Sequence, residues 1–149
     1  MIEVEEMSHG EIENTLQRLR YGHLGCSQNN HPYVVPVHFV YDDHNIYIYT
    51  TEGKKSEMIG ANPEVCLQVE EVTDGENWLS VIVIGNAERL TDVGDREKAL
   101  SAIISVNPTL TPAVSIRWID NWVREKRDTE VIYRINKRVM TGRRTAAAA

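Results

Sequence analysis

Between residues 23 and 51 the chain is written as three β-rich runs parted by two polar tetrads, and this pattern constrains the fold more than any other feature. The runs cover 23–27, 32–41 and 46–51, and the tetrads are Gln28-Asn29-Asn30-His31 and Asp42-Asp43-His44-Asn45. β-Branched and aromatic side chains suit a pleated, half-buried surface, while Asn and Asp accept the backbone angles of tight turns. An antiparallel meander follows.

The flanking segments add helices to that sheet. Ser8-His9-Gly10-Glu11 has the form of a capping box, with Ile12, Leu16 and Leu19 at helical spacing and Gly22 as a stop. A short helix is expected over 56–61, ended by Asn62-Pro63 because proline cannot continue it. Strands are expected over 64–72 and 78–90, a helix over 92–106 behind an acidic start, a loop over 107–112 and a last strand over 129–139. The stretch 113–128 takes no assignment. So many short strands need closure or cover for their edges, so the fold class is mostly β with helices, a small barrel with helical additions. One domain over 1–145 is expected, with 146–149 as an untethered tail.

Charge narrows the partners. The formal net charge is −6, which argues against a broad nucleic-acid surface, so any anionic ligand needs a local basic site. No apolar run approaches the roughly 20 residues that span a bilayer, and the start of the chain is acidic, so no membrane contact and a cytoplasmic location are expected. Cys26 and Cys66 sit in apolar segments without C-x-x-C spacing and read as buried core thiols.

The local basic site is Tyr49-Thr50-Thr51-Glu52-Gly53-Lys54-Lys55-Ser56: strand end, glycine turn, paired lysines, helix start. Backbone N–H groups at a helix N-terminus attract an anion, glycine permits close approach, and Lys54, Lys55 and the Thr50 hydroxyl supply donors. The same octet also reads as a hairpin tip with two solvated lysines. The histidines show no H-x-x-x-H pair, so no metal site is expected. His38 reads as a half-buried strand residue with one hydrogen bond or as a ligand-facing group. Trp78, Trp118 and Trp122 could stack on an aromatic ligand, but large aromatics fill cores and interfaces far more commonly, the reading taken for Trp118, and Ser80 and Ser115 lack a G-x-S-x-G setting. The basic groups Lys126-Arg127, Lys137-Arg138 and Arg143-Arg144 read as a solvated face.

Taken in order, Pro32-Tyr33, Pro36, Glu52-Gly53-Lys54-Lys55, Asn62-Pro63, Val65-Cys66, the strand from Trp78-Leu79-Ser80-Val81 to Gly85-Asn86-Ala87 and Thr141-Gly142-Arg143 carry a resemblance. The chain resembles the pyridoxamine 5′-phosphate oxidase-like flavin proteins, nearest the nitroimidazole-resistance branch. The resemblance implies a split β-barrel homodimer with FMN at the subunit interface. Lys54, Lys55 and Thr50 would take the phosphate, Val37, His38 and Phe39 would run beside the isoalloxazine ring, and Ser80 would add a contact. Trp122 or Arg143 would close the site from the partner subunit. Tyr49 stands where many members of that branch carry a histidine, which separates the specific activity from the flavin.

The function so implied is an FMN-dependent oxidoreductase, nitroreductase-like, passing hydride from a reduced nicotinamide to a small aromatic or nitro-containing molecule. No residue offers itself as general acid or base. The alternative is a non-catalytic protein that stores or senses flavin, or holds haem. A true pyridoxamine phosphate oxidase is disfavoured, because the closing tryptophan and arginine-leucine motif of those enzymes is missing from the sequence.

Overall fold

The computed structural model describes residues 2–42, 44–106 and 130–146. Along them run β1 (Val4–Glu6), α1 (His9–Arg18), β2 (Tyr21–Gln28), β3 (His31–Asp42), β4 (Asn45–Thr51), α2 (Lys54–Ala61), β5 (Glu64–Asp74), β6 (Asn77–Arg89), α3 (Val93–Val106) and β7 (Glu130–Thr145). The meander is present as expected. Asn29 and Asn30 take φ of 52° and 64°, the left-handed pair a two-residue hairpin turn needs, and Gln28 pairs with His31 across it. His44, with φ of 64°, plays the same part between β3 and β4.

The sheet closes on itself. Its order is β1-β7-β4-β3-β2-β5-β6, and a further β7–β6 pairing completes the ring. All pairings are antiparallel. Alternation sends Leu24, Phe39, Ile48, Leu67, Val83 and Tyr133 into the barrel interior, each at most 2% exposed. Helix α1 adds Ile12 and Leu16 to that core, and its Ser8 cap works as read: the Glu11 N–H donates to Ser8 Oγ at 3.2 Å and the Ser8 N–H to Glu11 Oε1 at 3.1 Å. A second cluster forms outside the wall, where Ala99, Ala102 and Ile103 of α3 cover Val40, Tyr47, Tyr49 and Ile132.

Several expectations need correction. Gly22 does not stop α1, which ends at Arg18 with Leu19 already extended. It lies inside β2 instead, where a Cβ would sit 2.7 Å from the Gln68 carbonyl oxygen, so neighbouring backbone requires the missing side chain. Helix α2 begins two residues earlier than expected, so both lysines belong to its first turn. Cys26 is buried, but Cys66 is only partly so and faces outward. Strand β7 runs through Thr141-Gly142-Arg143 to Thr145, and its end binds β1, an element the sequence does not announce. Ala146 is tied down as well, its N–H donating to the Glu3 carbonyl at 2.9 Å. The 107–112 loop, the 113–128 stretch, Trp118 and Trp122 lie outside the described residues.

Candidate functional site

The β3–β4 ladder stops early, and the site opens where it stops. Pairing runs from Asp42–Asn45 to Phe39–Ile48, after which β3 stays with β2 (His38 with Tyr21, Val37 with Gly22) and β4 stays with β7 (Tyr49 with Ile132, Thr50 with Val131). Between the parted strands lies a cleft of about 360 Å³ lined by Tyr21, Pro36, Val37, His38, Tyr49, Thr50, Thr51 and Lys55. The separation exposes backbone to a ligand. The Phe39 N–H donates to the Arg20 carbonyl on the β2 side at 3.0 Å, so alternation turns the His38 N–H and C=O toward the cleft.

Helix α2 brings its N-terminus to the rim. Its cap residue, Gly53, is extended (φ 168°, ψ −157°), and a Cβ there would meet no protein atom within 4 Å, so neither backbone strain nor protein crowding demands a glycine. The Gly53 N–H donates to Ser56 Oγ at 2.9 Å, and Ser56 Oγ lies 2.7 Å from Glu52 Oε2.

Lys54 and Lys55 part company in the first turn. Lys55 is half-buried in the cleft wall, and burial pulls its ammonium below the ordinary lysine range. Lys54 is exposed and sets its Nζ over the Tyr33 ring, 4.9 Å from the centroid, outside the cleft lining. The one acidic neighbour in the loop, Glu52, is neutralised locally. The Ser56 hydroxyl first and then Arg89, which forms an ion pair with it, hold its carboxyl below the usual range.

The remaining sequence-marked residues divide. Val37, His38, Tyr49, Thr50 and Lys55 meet in the cleft. Phe39 sends its ring into the barrel core and its backbone N–H to the β2 side, so it positions His38 without itself facing the cleft. Tyr49 packs largely under α3, 4% exposed. Ser80 and Arg143 face each other across the β6–β7 ladder, and Ser80 accepts a hydrogen bond from Gln68 Nε2 at 3.1 Å. In the same subunit they are remote from the cleft: between His38 on β3 and Ser80 on β6 stand β2 and β5, three strand steps of about 4.8 Å each. The Arg143 side chain is exposed and hydrogen-bonds to none of the described residues, whereas that of neighbouring Arg144 is paired with Glu5 and Glu11. Tyr21 and Thr51 are lining residues the sequence reading missed. Placing the helix stop at Gly22 hid the Tyr21-x-His23 alternation that marks Tyr21 as strand.

A family model described as pyridoxamine 5′-phosphate oxidase matches residues 8–144. The chain belongs to the pyridoxamine 5′-phosphate oxidase family. A crystal structure of a FAD-binding protein from Mesorhizobium loti is 31% identical, with a TM-score of 0.77 over 98% of this chain and 99% of that one. A structure from Bacteroides thetaiotaomicron named for 5-nitroimidazole antibiotic resistance shares the fold, with a TM-score of 0.72 at 21% identity over 97% of this chain and 91% of that one. Protein RA0666 of Rhizobium meliloti is 29% identical over 87 residues, a match covering 58% of each protein. As a member of the pyridoxamine 5′-phosphate oxidase family, the chain resembles a FAD-binding protein along nearly its whole length, and its cleft stands where β3 and β4 part. No helix among the described residues is long and apolar enough to cross a membrane.

Proposed function

We propose that this family member is a flavin-dependent oxidoreductase, working as a homodimer that holds FMN in the β3–β4 cleft and acts on a small molecule. One observation carries the reading. Lys55 lies half-buried in the cleft with no carboxylate among the lining residues, beside the Thr50 and Thr51 hydroxyls and the N-terminal turn of α2. A buried ammonium without a counter-ion is costly, and a phosphate supplies that counter-ion together with acceptors for hydroxyl and backbone donors. The residues therefore fit a phosphate ester, and the His38 backbone donor and acceptor fit the polar edge of a planar heterocycle placed farther along β3.

The chain's own residues bind, orient and shield. Lys55, with Thr50 and Thr51, fixes the anionic end; Glu52 is kept from opposing it by Ser56 and Arg89. His38 and Val37 fix the ring end. When bound, the flavin supplies the redox chemistry, accepting hydride and passing electrons on. The 31%-identical relative is named for FAD, so FAD is the second reading of the same phosphate site.

The dimer reading rests on the outer face of the sheet. Successive ladders align Val34, Gly25, Cys66, Ile84 and Val139 in one outward row across five strands. Val34, Ile84 and Val139 are 64%, 38% and 44% exposed, and Ile82 in the next row is 40% exposed. A contiguous apolar row of this kind fits a self-complementary contact. A second copy packed there would offer its Ser80 and Arg143 to a cleft they cannot reach at home.

The test is spectroscopic. The purified protein should be yellow, and mass spectrometry of the flavin released by denaturation should return FMN. Anaerobic addition of a reduced nicotinamide should bleach it. A yellow protein that no nicotinamide bleaches is a store or sensor, a Soret band marks haem instead, and a protein that takes up no flavin ends the proposal.

A further inference from the structure

Away from the cleft, where the β5–β6 hairpin meets β7 at the barrel rim, lies a cavity of about 400 Å³ lined by Glu71, Thr73, Asn77, Trp78, Leu79 and Arg144. None of these residues lines the cleft. The ladders set Leu79 directly between Glu71 and Arg144. Leu79 packs against the barrel core, in alternation with buried Val81 and Val83, so the cavity floor belongs to the inner face of the sheet and not to the outward apolar row. The charges in its walls are answered within the protein. Glu71 Oε2 accepts from Arg18 Nη1 at 2.6 Å, while Arg144 donates from Nε to Glu11 at 2.6 Å and pairs through Nη1 with Glu5 at 3.1 Å. Half of each group stays open: Glu71 Oε1 and Arg144 Nη2 bond to none of the described residues. Asn77 Nδ2 donates to the Asp74 carboxylate at 3.0 and 3.1 Å, which leaves Oδ1 open in the same way. The Thr73 hydroxyl and the indole N–H of half-buried Trp78 also have no partner among the described residues.

We propose that this cavity is a binding site for a neutral polyhydroxylated ring, a sugar. The assignment shares no residue with the flavin reading and stands without it. Three features choose the ligand class. With Glu71 and Arg144 already paired, the walls offer no uncompensated charge to an anion or a cation, and the volume is that of a small-molecule pocket. The open groups are mixed in kind: Glu71 and Asn77 accept, Arg144 and Trp78 donate, and Thr73 does either. A sugar hydroxyl is donor and acceptor at once, so it suits such a wall, and bonds to the held carboxylate and guanidinium are charge-assisted. Trp78 and Leu79 add apolar surface for the C–H face of the ring.

The probes are methyl glucoside, methyl galactoside and methyl mannoside, with glucose 6-phosphate and glucosamine as charged counterparts, titrated into the full chain. Nitrogen–proton correlation spectra follow the Trp78 indole N–H, assigned by its loss in Trp78→Phe. At least one glycoside should move that resonance saturably in the millimolar range and bind more tightly than either charged sugar. Thr73→Val should weaken that glycoside about threefold and Trp78→Ala about tenfold, both read on the Leu79 backbone amide, while FMN affinity stays within about twofold. Thr73→Val removes one exposed hydroxyl, so it keeps the fold even where Trp78→Ala does not. A Trp78 resonance that none of the three glycosides moves overturns the site. Tighter binding of either charged sugar overturns the ligand class, and glycoside affinity unchanged by Thr73→Val and Trp78→Ala overturns the placement.

Discussion

Arg89, the last residue of β6, forms an ion pair with Glu52, the residue that enters the glycine turn before α2. The two strand ends meet at the point where the proposed phosphate arrives, and the arginine covers a carboxylate that would repel it. Arg89 does not line the cleft, so Arg89→Ala touches no ligand directly. It should nevertheless weaken FMN binding by roughly two- to fivefold, the scale of an exposed ion pair, and Glu52→Gln in the same chain should restore it. Fluorescence quenching of FMN on titration reads both; absence of any effect removes Glu52 from the electrostatics of the site.

The paired lysines should not be equivalent. Lys55→Ala removes the half-buried cleft cation and should cost about 1.5 to 3 kcal/mol of FMN binding, the range for a hydrogen bond to a charged group. Lys54→Ala leaves the cleft lining intact and should cost much less. Because burial lowers the Lys55 ammonium from 10.5 and a bound phosphate raises it again, binding takes up a proton at alkaline pH. Affinity should therefore fall as pH rises through the lowered value, earlier than for an ordinary lysine, and Lys55→Gln should abolish that dependence in calorimetric titrations.

Two glycine substitutions separate folding from binding. A Cβ at Gly85, beside the irregularity in the β6–β7 ladder, would lie 2.1 Å from the Asn136 carbonyl oxygen, backbone that cannot swing aside. Gly85→Ala should destabilise by about 1 to 3 kcal/mol or more in urea unfolding. Gly53→Ala meets open space in an extended backbone, so stability should hold within about 0.5 kcal/mol. Its methyl group would nonetheless project beside the proposed phosphate, and a clear loss of FMN affinity is expected.

Acid should act in two windows. Burial holds the His38 imidazole below 6.5, so as pH falls through that region the unfolded chain takes up the proton first and stability declines. His38→Gln should lack this first decline. Glu11, Glu52, Glu64 and Glu88 are all held below 4.5 by their hydrogen bonds, so their contribution is complete above that value and is lost as pH falls below it. Urea midpoints measured from about pH 8 to about pH 3 should show both declines in wild type and only the lower one in His38→Gln.

Charge placed on the outer face tests the proposed shared site. Ile84→Asp and Val139→Asp put charge into the outward row without touching the barrel interior. Sedimentation should find monomers, with secondary structure unchanged by circular dichroism and FMN affinity reduced. Arg143→Ala should lower FMN affinity while leaving the sedimentation coefficient of the dimer intact.

What the sequence shows clearly is what neighbouring residues decide among themselves. The Ser8–Glu11 cap, the Asn29-Asn30 turn and the stop at Asn62 are local chemistry, and each is found where expected. The mistaken assignments arise where distant chain decides. Gly22 looks like a helix stop until Gln68 is placed against it, and Val4–Glu6 becomes a strand only because the end of β7 lies beside it. The site divides in the same way. Thr50 and Lys55 are legible from one loop, whereas Tyr21 joins them through the β2–β3 register, and Lys54 turns aside to Tyr33 for reasons that no octet of sequence contains.

β7 has a further effect through its length. Val131 stands beside Thr50 at one end of it and Arg143 beside Ser80 at the other. A single strand thus acts as a ruler, spacing the proposed docking place of a cofactor's phosphate from the arginine proposed to serve a neighbouring copy. Deleting one residue between those marks would slip the register and turn Arg143 inward, and should cost flavin binding at the proposed site.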